Sequence, residues 1–204
     1  MENFRELIKA MQILENFRRY LQAKVELSDS EFDLIWSKSK GRKIAKREFY
    51  LREGEVSQHN TFVVKGLLRL YRIDEEGNEH IMRFAPENWW ISDRESYNTG
   101  KPSKFIIDAL EKSEVLIWTK EDTEFVYGRI PAFRAFGEGL FVESFIAYHN
   151  RIYNTISSTA EEKYENFVKT YPDIFNRVPL HMVASYLGVT RETLSRVRRN
   201  YTLK

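Results

Sequence analysis

The densest chemistry in this chain of 204 residues lies near its C-terminus, in GVTRETLSRVRRN from Gly188 to Asn200. Guanidinium groups donate hydrogen bonds in planar pairs, which fits them to phosphate oxygens or to the N7 and O6 edge of guanine. A glutamate among them can accept from the amino group of cytosine. At the helical step, Arg191, Glu192, Ser195, Arg196 and Arg199 spread over roughly 140°, while Leu194, Val197 and Tyr201 fall within roughly 60° on the other side. The apolar side packs and the arginine side is left for a partner, which this chemistry makes duplex DNA. Arg191, Glu192 and Arg196 are the expected base contacts. Ser195, Arg199 and Thr193 are expected mainly to fix position, and Thr190 and His181 complete the candidate set. The competing reading is a solvated helix face.

The residues before this run supply what is needed to position such a helix. In PLHMVASYLGVTRETLSRVRRN, Ala184 is small where two helices must cross, and Gly188 stands where the first must end with a positive φ. Leu194 faces back toward the crossing. Thr190 can cap the second helix, and Glu192 in its first turn suits the positive end of the dipole. The layout is that of a helix-turn-helix. From Arg177 onward, Arg177, Arg191, Arg196, Arg198, Arg199 and Lys204 face a single acid, Glu192, although the whole chain carries only +2. The positive charge is local.

Upstream, Phe4, Leu7, Ile8, Met11, Leu14, Phe17 and Leu21 recur at helical spacing, and Leu27-Ser28-Asp29-Ser30-Glu31 reads as the capped start of a second helix through Trp36. From Lys43 the texture changes to short β-type runs, KIAKREFYL, TFVVKGLLRLYRI, EHIMRFA, KFIIDAL and EVLIW, separated by turn-rich pieces. That spacing predicts a small antiparallel jelly roll. Pro131 opens a proline-free stretch that lasts to Pro172, with room for one long helix over about 131–157. On it Phe141, Phe145, Tyr148, Ile152 and Ile156 lie within roughly 80°, and Val142, Ile146, His149 and Tyr153 fill the adjoining sector. Two apolar sectors predict that the helix meets a second copy of the chain as well as its own β domain; burial in one large core would look similar. Further helices are expected at about 160–170, 178–187 and 190–201.

Hydrophobic residues make up 42% of the chain, enough for one sizeable core and a second small one. Cysteine is absent, which excludes disulfides, thiolate nucleophiles, cysteine-ligated iron–sulfur clusters and Cys-type zinc sites. MENFRELIKAMQILENFRRY alternates charge with apolar residues and has neither the core of a signal peptide nor the length of a membrane span. A soluble, unprocessed, cytoplasmic protein is expected.

With these residues in this order, the chain resembles the Crp/Fnr family of transcription regulators over nearly its whole length. Arg191, Glu192 and Arg196 match the arginine–glutamate pair and following arginine of the family's recognition helix. Leu51-Arg52-Glu53-Gly54-Glu55 is similar to its early strand and glycine turn, and VVKGLLRLYRIDEEGNEHIMRFAPENWW to its central strands. WWISDRESYNTGKPS resembles the branch found in Bacteroidetes-type bacteria. The resemblance implies an α+β protein: a cyclic-nucleotide-binding-like β-helix sensor domain over 1–130, a dimerisation helix over 131–157 and a helix-turn-helix domain over 158–204 with its wing reduced or absent. It also implies a homodimer on a pseudo-palindromic operator, with duplex DNA and a second copy as partners and RNA polymerase as a candidate one. Cyclic-nucleotide binders of the family hold their ligand with a Gly-Glu-Leu segment and an Arg-Ser-Ala or Arg-Thr-Ala segment. Here Pro86-Glu87-Asn88 keeps the glutamate and loses the glycine, and Ser103-Lys104-Phe105 puts Ser103 where the phosphate arginine belongs. Glu87, Ser103 and Lys104 are the candidate effector-pocket residues. Without the bidentate cation, control by cyclic AMP is not expected. No cofactor is implied, and the effector stays unnamed.

An enzyme is not expected. A cupin-like metal site needs clustered ligands, and no His-x-His pair exists; His59, His80, His149 and His181 are too scattered to propose a haem ligand. Asn98-Thr99-Gly100-Lys101-Pro102-Ser103 lacks the first glycine of a phosphate-binding loop and reads as a turn. Trp89, Trp90 and Tyr97 with Asp93, Arg94 and Glu95 read as core plus surface ions ahead of a ligand cavity. Lys38, Lys40, Arg42, Lys43, Lys46 and Arg47 read as a solvated strand edge ahead of a contact to bent flanking DNA. The alternative function is an effector-sensing module that regulates a protein partner without touching DNA. It leaves the Arg191, Arg196 and Arg199 face unexplained.

Overall fold

The computed structural model describes residues 2–202, apart from the side chains of residues 2–7, 9, 10 and 202. Phe4 and Leu7 of the expected N-terminal stripe therefore lie outside the described side chains. The chain divides into two compact units, residues 1–68 with 85–141, and residues 69–84 with 142–204.

Helix α1 spans Glu2–Gln22 and α2 spans Asp29–Ser37. The start of α2 follows from its sequence: Ser28 Oγ accepts the Glu31 N–H at 3.3 Å and the Glu31 carboxylate accepts the Ser28 N–H at 2.8 Å. Eight strands follow, β1 Lys40–Ile44, β2 Phe49–Leu51, β3 His59–Lys65, β4 Leu68–Ile73, β5 Glu79–Ala85, β6 Trp90–Ile91, β7 Ile106–Ala109 and β8 Ser113–Thr119. They form the two four-stranded sheets of a jelly roll. One sheet has the order β1-β8-β3-β6, with antiparallel partners Lys40↔Ile117, Phe62↔Leu116 and Phe62↔Trp90. In the other, β2 pairs antiparallel with β7, and β5 stands at the edge beside β4.

Short helices α3, Arg94–Thr99, and α4, Lys120–Tyr127, interrupt and follow the strands. Neither was expected, and in both cases a cap decides the matter. Asp93 Oδ1 accepts the N–H groups of Glu95 at 3.1 Å and Ser96 at 3.4 Å, so a stretch that reads as core residues with surface ions winds into a helix. Thr119 closes β8 and at once accepts the Asp122 N–H at 3.0 Å, opening α4 without an intervening loop. Helix α5 then runs Pro131–Ser157, the span expected from its proline-free stretch.

The core of the first unit is aromatic. Phe17 of α1 is fully buried, with ring centroids 5.0 Å from Phe62 and 5.4 Å from Trp118. Trp90 stacks at 5.2 Å from Phe62 and 5.3 Å from Trp118. The indole N–H groups are satisfied: Trp118 donates to the Ile35 carbonyl at 3.0 Å and Trp90 to the Tyr20 hydroxyl at 3.1 Å. Helix α1 is thus part of the β domain's core. Replacing Phe17 by alanine should lower the unfolding free energy by about 3–5 kcal/mol, read by chemical denaturation. A change below about 1 kcal/mol would show that α1 is merely laid on the surface.

Candidate nucleic-acid interface

The second unit carries the arginine face. Its helices are α6 Ala160–Thr170, α7 Leu180–Leu187 and α8 Arg191–Thr202, with a 3₁₀ turn at Ile174–Asn176. Thr159 and Glu162 cap α6 reciprocally, at 2.8 Å and 3.3 Å. Gly188 ends α7 with φ +64°, and the reversal satisfies two of the helix's last carbonyls: Gly188 N–H donates to Ser185 and Val189 N–H to Ala184, at 3.3 and 3.1 Å. Thr190 then opens α8, its Oγ1 accepting the Thr193 N–H at 3.1 Å. The expected helix-turn-helix is present, with its turn glycine and cap in the expected roles.

Burial separates the two sides of α8 as the periodicity predicts. Leu194 and Val197 are buried, as are Val183, Ala184 and Leu187 of α7. Arg191, Glu192, Ser195, Arg196 and Arg199 are all exposed, and so is His181 on α7. Tyr201 differs from expectation: it is half-exposed at 43%, its ring set 5.0 Å from Tyr164 at the end of the apolar stripe. Thr193 is half-buried and Thr190 spends its hydroxyl on the cap, so their side chains are less free than those of the arginines. Arg198 lies with its guanidinium 5.4 Å from the Phe175 ring, off the reading face. The face can donate to anions, and its one acid can accept from a base edge.

Two of the three expected effector residues, Glu87 and Ser103, are engaged within the first unit. Glu87 accepts the Gly66 N–H at 2.8 Å, bracing the β3–β4 turn, where Gly66 adopts φ +95°. Ser103 is buried; its hydroxyl donates to Asp93 at 2.6 Å and accepts the Phe105 N–H at 2.9 Å. Lys104 is exposed. Asp93, itself buried, was read as a surface ion and is instead the hub that joins the α3 cap to Ser103. Among the described residues no cluster of three His, Cys, Asp or Glu side chains could hold a metal ion.

Two residues of the second unit were not singled out from sequence. Arg151 of α5 donates to backbone carbonyls of β5 and α7, and the Ser185 hydroxyl of α7 bonds the β5 backbone. An arginine beside an apolar stripe, or a serine within a helix, carries no periodic signal that could mark them.

Comparison with known proteins gives these sites a frame. Residues 41–129 match the family model of the cyclic nucleotide-binding domain. FixK2 from Bradyrhizobium japonicum superposes with a TM-score of 0.70 at 18% identity, covering 81% of this chain and 85% of its own. The catabolite activator protein of Thermus thermophilus gives 0.55 at 20% identity, with 86% and 84% covered. A transcriptional regulator from Eubacterium rectale described as of the Crp/Fnr family gives 0.63 at 16% identity, with 87% and 84% covered. The chain shares the fold of these proteins. No curated protein matches the sequence. At these identities the Crp/Fnr likeness is one of fold, and it does not reach the Bacteroidetes branch. Among the described residues no helix is long and apolar enough to cross a membrane, and no strand follows α8.

Because a side chain on Gly188 would meet only Thr155 Cγ2 at 3.9 Å, conformation rather than space demands glycine there. Gly188→Ala should therefore cost about 1–2 kcal/mol in unfolding free energy, and Gly188→Asn less, since asparagine tolerates the left-handed region. Equal stability of the alanine variant and the wild type would show that the turn can be made with ordinary φ.

Proposed function

We propose that the protein is a sequence-specific DNA-binding transcription regulator that acts as a homodimer and is not controlled by cyclic AMP. The observation that carries this is the exposed set Arg191, Glu192, Ser195, Arg196 and Arg199 on a helix whose Leu194 and Val197 are buried. A helix so arranged fits the major groove, with Arg191, Glu192 and Arg196 at base edges and Arg199, Ser195 and Thr193 near phosphates. Thr190 and His181 flank it.

The dimer reading is supported by α5. Phe141, Val142, Phe145, Ile146, Tyr148, Ile152, Tyr153 and Ile156 are all exposed, Ile152 by 59% and Ile156 by 82%. Both apolar sectors therefore lie open on the single chain, which argues against their burial in one large core. An exposed apolar stripe of this length costs solvation unless a partner covers it, and a second copy provides the same stripe. Two reading helices would then meet half-sites about 34–36 Å apart.

Independence from cyclic AMP is supported by the surroundings of Ser103. At the place where the resemblance puts a phosphate-binding arginine, the serine hydroxyl is bonded to the buried acid Asp93. A cyclic phosphate would find an acid where it needs a cation.

Selection of bound sequences from random duplex DNA tests the whole reading. The enriched motif should be two inverted half-sites about 10 bp apart, the same with and without cyclic AMP. No enrichment ends the DNA reading, a lone half-site ends the dimer, and a motif enriched only with cyclic AMP ends the claim of independence. On the selected operator, Arg196→Ala should cost about 1–3 kcal/mol and relax preference at one base position, whereas Arg199→Ala should weaken all sequences alike and flatten the salt dependence by about one ion. Exchange of these two patterns would reverse the assigned roles.

A further inference from the structure

Strand β5 lies at the edge of its sheet, and an edge strand presents N–H and carbonyl groups that need partners. Here side chains of the helical part of the same unit supply them. Ser185 of α7 accepts the Ile81 N–H at 3.0 Å and donates to the Glu79 carbonyl at 2.6 Å, so one hydroxyl does what a neighbouring strand would do. Arg151 of α5 donates to the carbonyls of Ile81 at 2.9 Å and Met82 at 2.5 Å. The same guanidinium donates to the Tyr186 carbonyl at 2.8 Å, at the negative end of α7, and lies 4.1 Å from the Tyr186 ring. Below these bonds Phe84, the penultimate residue of β5, packs its ring 6.2 Å from Phe167, 5.9 Å from Tyr171 and 5.7 Å from Tyr186. Burial there pushes the Tyr171 phenol far above its usual range, which keeps the contact neutral.

We infer that Arg151 and Ser185 are positioning residues that register the helix-turn-helix on the edge of β5, so that the β4–β5 hairpin sets how α8 presents its reading face. The inference rests on the DNA reading proposed above. Its physical content is the directionality of the bonds. Apolar packing alone would let α7 slide along Phe84 with little cost, whereas the Ser185 hydroxyl fits only between Glu79 and Ile81, and a displacement by one residue faces it with backbone groups that point the other way. Helix α7 passes that register on through Val183, Ala184 and Leu187, which are buried together with Leu194 and Val197 of α8. The bonds also leave Arg191, Arg196 and Arg199 exposed, so the registered state is one in which the reading face is free. A shift of the hairpin therefore moves the reading helix.

The test uses the full chain and the operator obtained by selection. Hydrogen exchange at the Ile81 amide and operator affinity are measured for the wild type, Ser185→Ala, Ser185→Thr and Arg151→Lys. In Ser185→Ala the Ile81 amide should exchange about tenfold faster and the operator should bind about tenfold more weakly, from the loss of two hydrogen bonds. Affinity for random duplex should stay the same, because it depends on charge that neither Ser185→Ala nor Arg151→Lys alters. Ser185→Thr, which keeps the hydroxyl, should restore both values, and Arg151→Lys should resemble Ser185→Ala. A serine needed only for folding would slow neither binding mode selectively nor be rescued by threonine alone. Unchanged Ile81 exchange in Ser185→Ala overturns the inference, as does faster exchange with unchanged operator affinity. A wild type that selects no sequence sinks the DNA reading, and this inference with it; Ile81 protection lost in Ser185→Ala in that case marks the DNA reading as the part that failed.

Discussion

The backbone reversal at Gly188 is the constraint on which the reading surface depends. A helix that ran on past Leu187 would carry the arginines along the axis of α7. With φ at +64° the chain instead turns, closes the end of α7 with two backbone bonds, and restarts at the Thr190 cap. Only then do Leu194 and Val197 fall inward while the residues between them fall outward. The segregation of α8 is a matter of periodicity, but its direction relative to α7 is decided by one residue that needs no side chain.

Charge in this protein is organised locally rather than in bulk. A net charge of +2 would not draw the chain to a polyanion, yet Arg191, Arg196 and Arg199 on little more than two turns of one helix make a concentrated field. The opposite adjustment appears in the β domain. There the buried acid Asp93 is held by the N-terminal amides of α3 and by the Ser103 hydroxyl. A helix N-terminus and a hydroxyl suffice to hold a carboxyl group in place, and they leave that corner of the domain satisfied from within.

Much of this could be read from residue order because the signals were local. The span of α5 followed from two prolines, the start of α2 from a serine and a glutamate three residues on, and the split of α8 from a repeat of apolar residues. The jelly roll followed from short strands and turns in sequence, and the match to a cyclic nucleotide-binding domain from the resemblance to a known family. What escaped had either a local signal masked by its neighbours or none at all. Helices α3 and α4 depend on caps embedded in stretches dominated by aromatic or strand-forming residues. Asp93 looks like any exposed aspartate until Ser103, ten positions later, is folded against it. Arg151 and Ser185 depend on backbone atoms of Glu79, Ile81 and Met82, some seventy and a hundred positions away, and no side-chain pattern encodes a bond to a main chain.

Residues 69–84 group with 142–204 in one compact unit. A hairpin that belongs by sequence to the β domain shares its aromatic and polar contacts with the helices that carry the arginines. The ion pair of Arg69 with Glu79 stiffens the hairpin across its two strands, and Asp74 ties its turn through the Asn78 N–H at 2.8 Å. Hydrogen bonds from His80 and Asn78 hold the Asp74 carboxyl far below the usual range. Under the proposed coupling, a hairpin braced at its turn and fastened along its edge should respond as one piece. It is therefore suited to carry a displacement of β4 and β5 to the helix-turn-helix without dissipating it in the strands themselves.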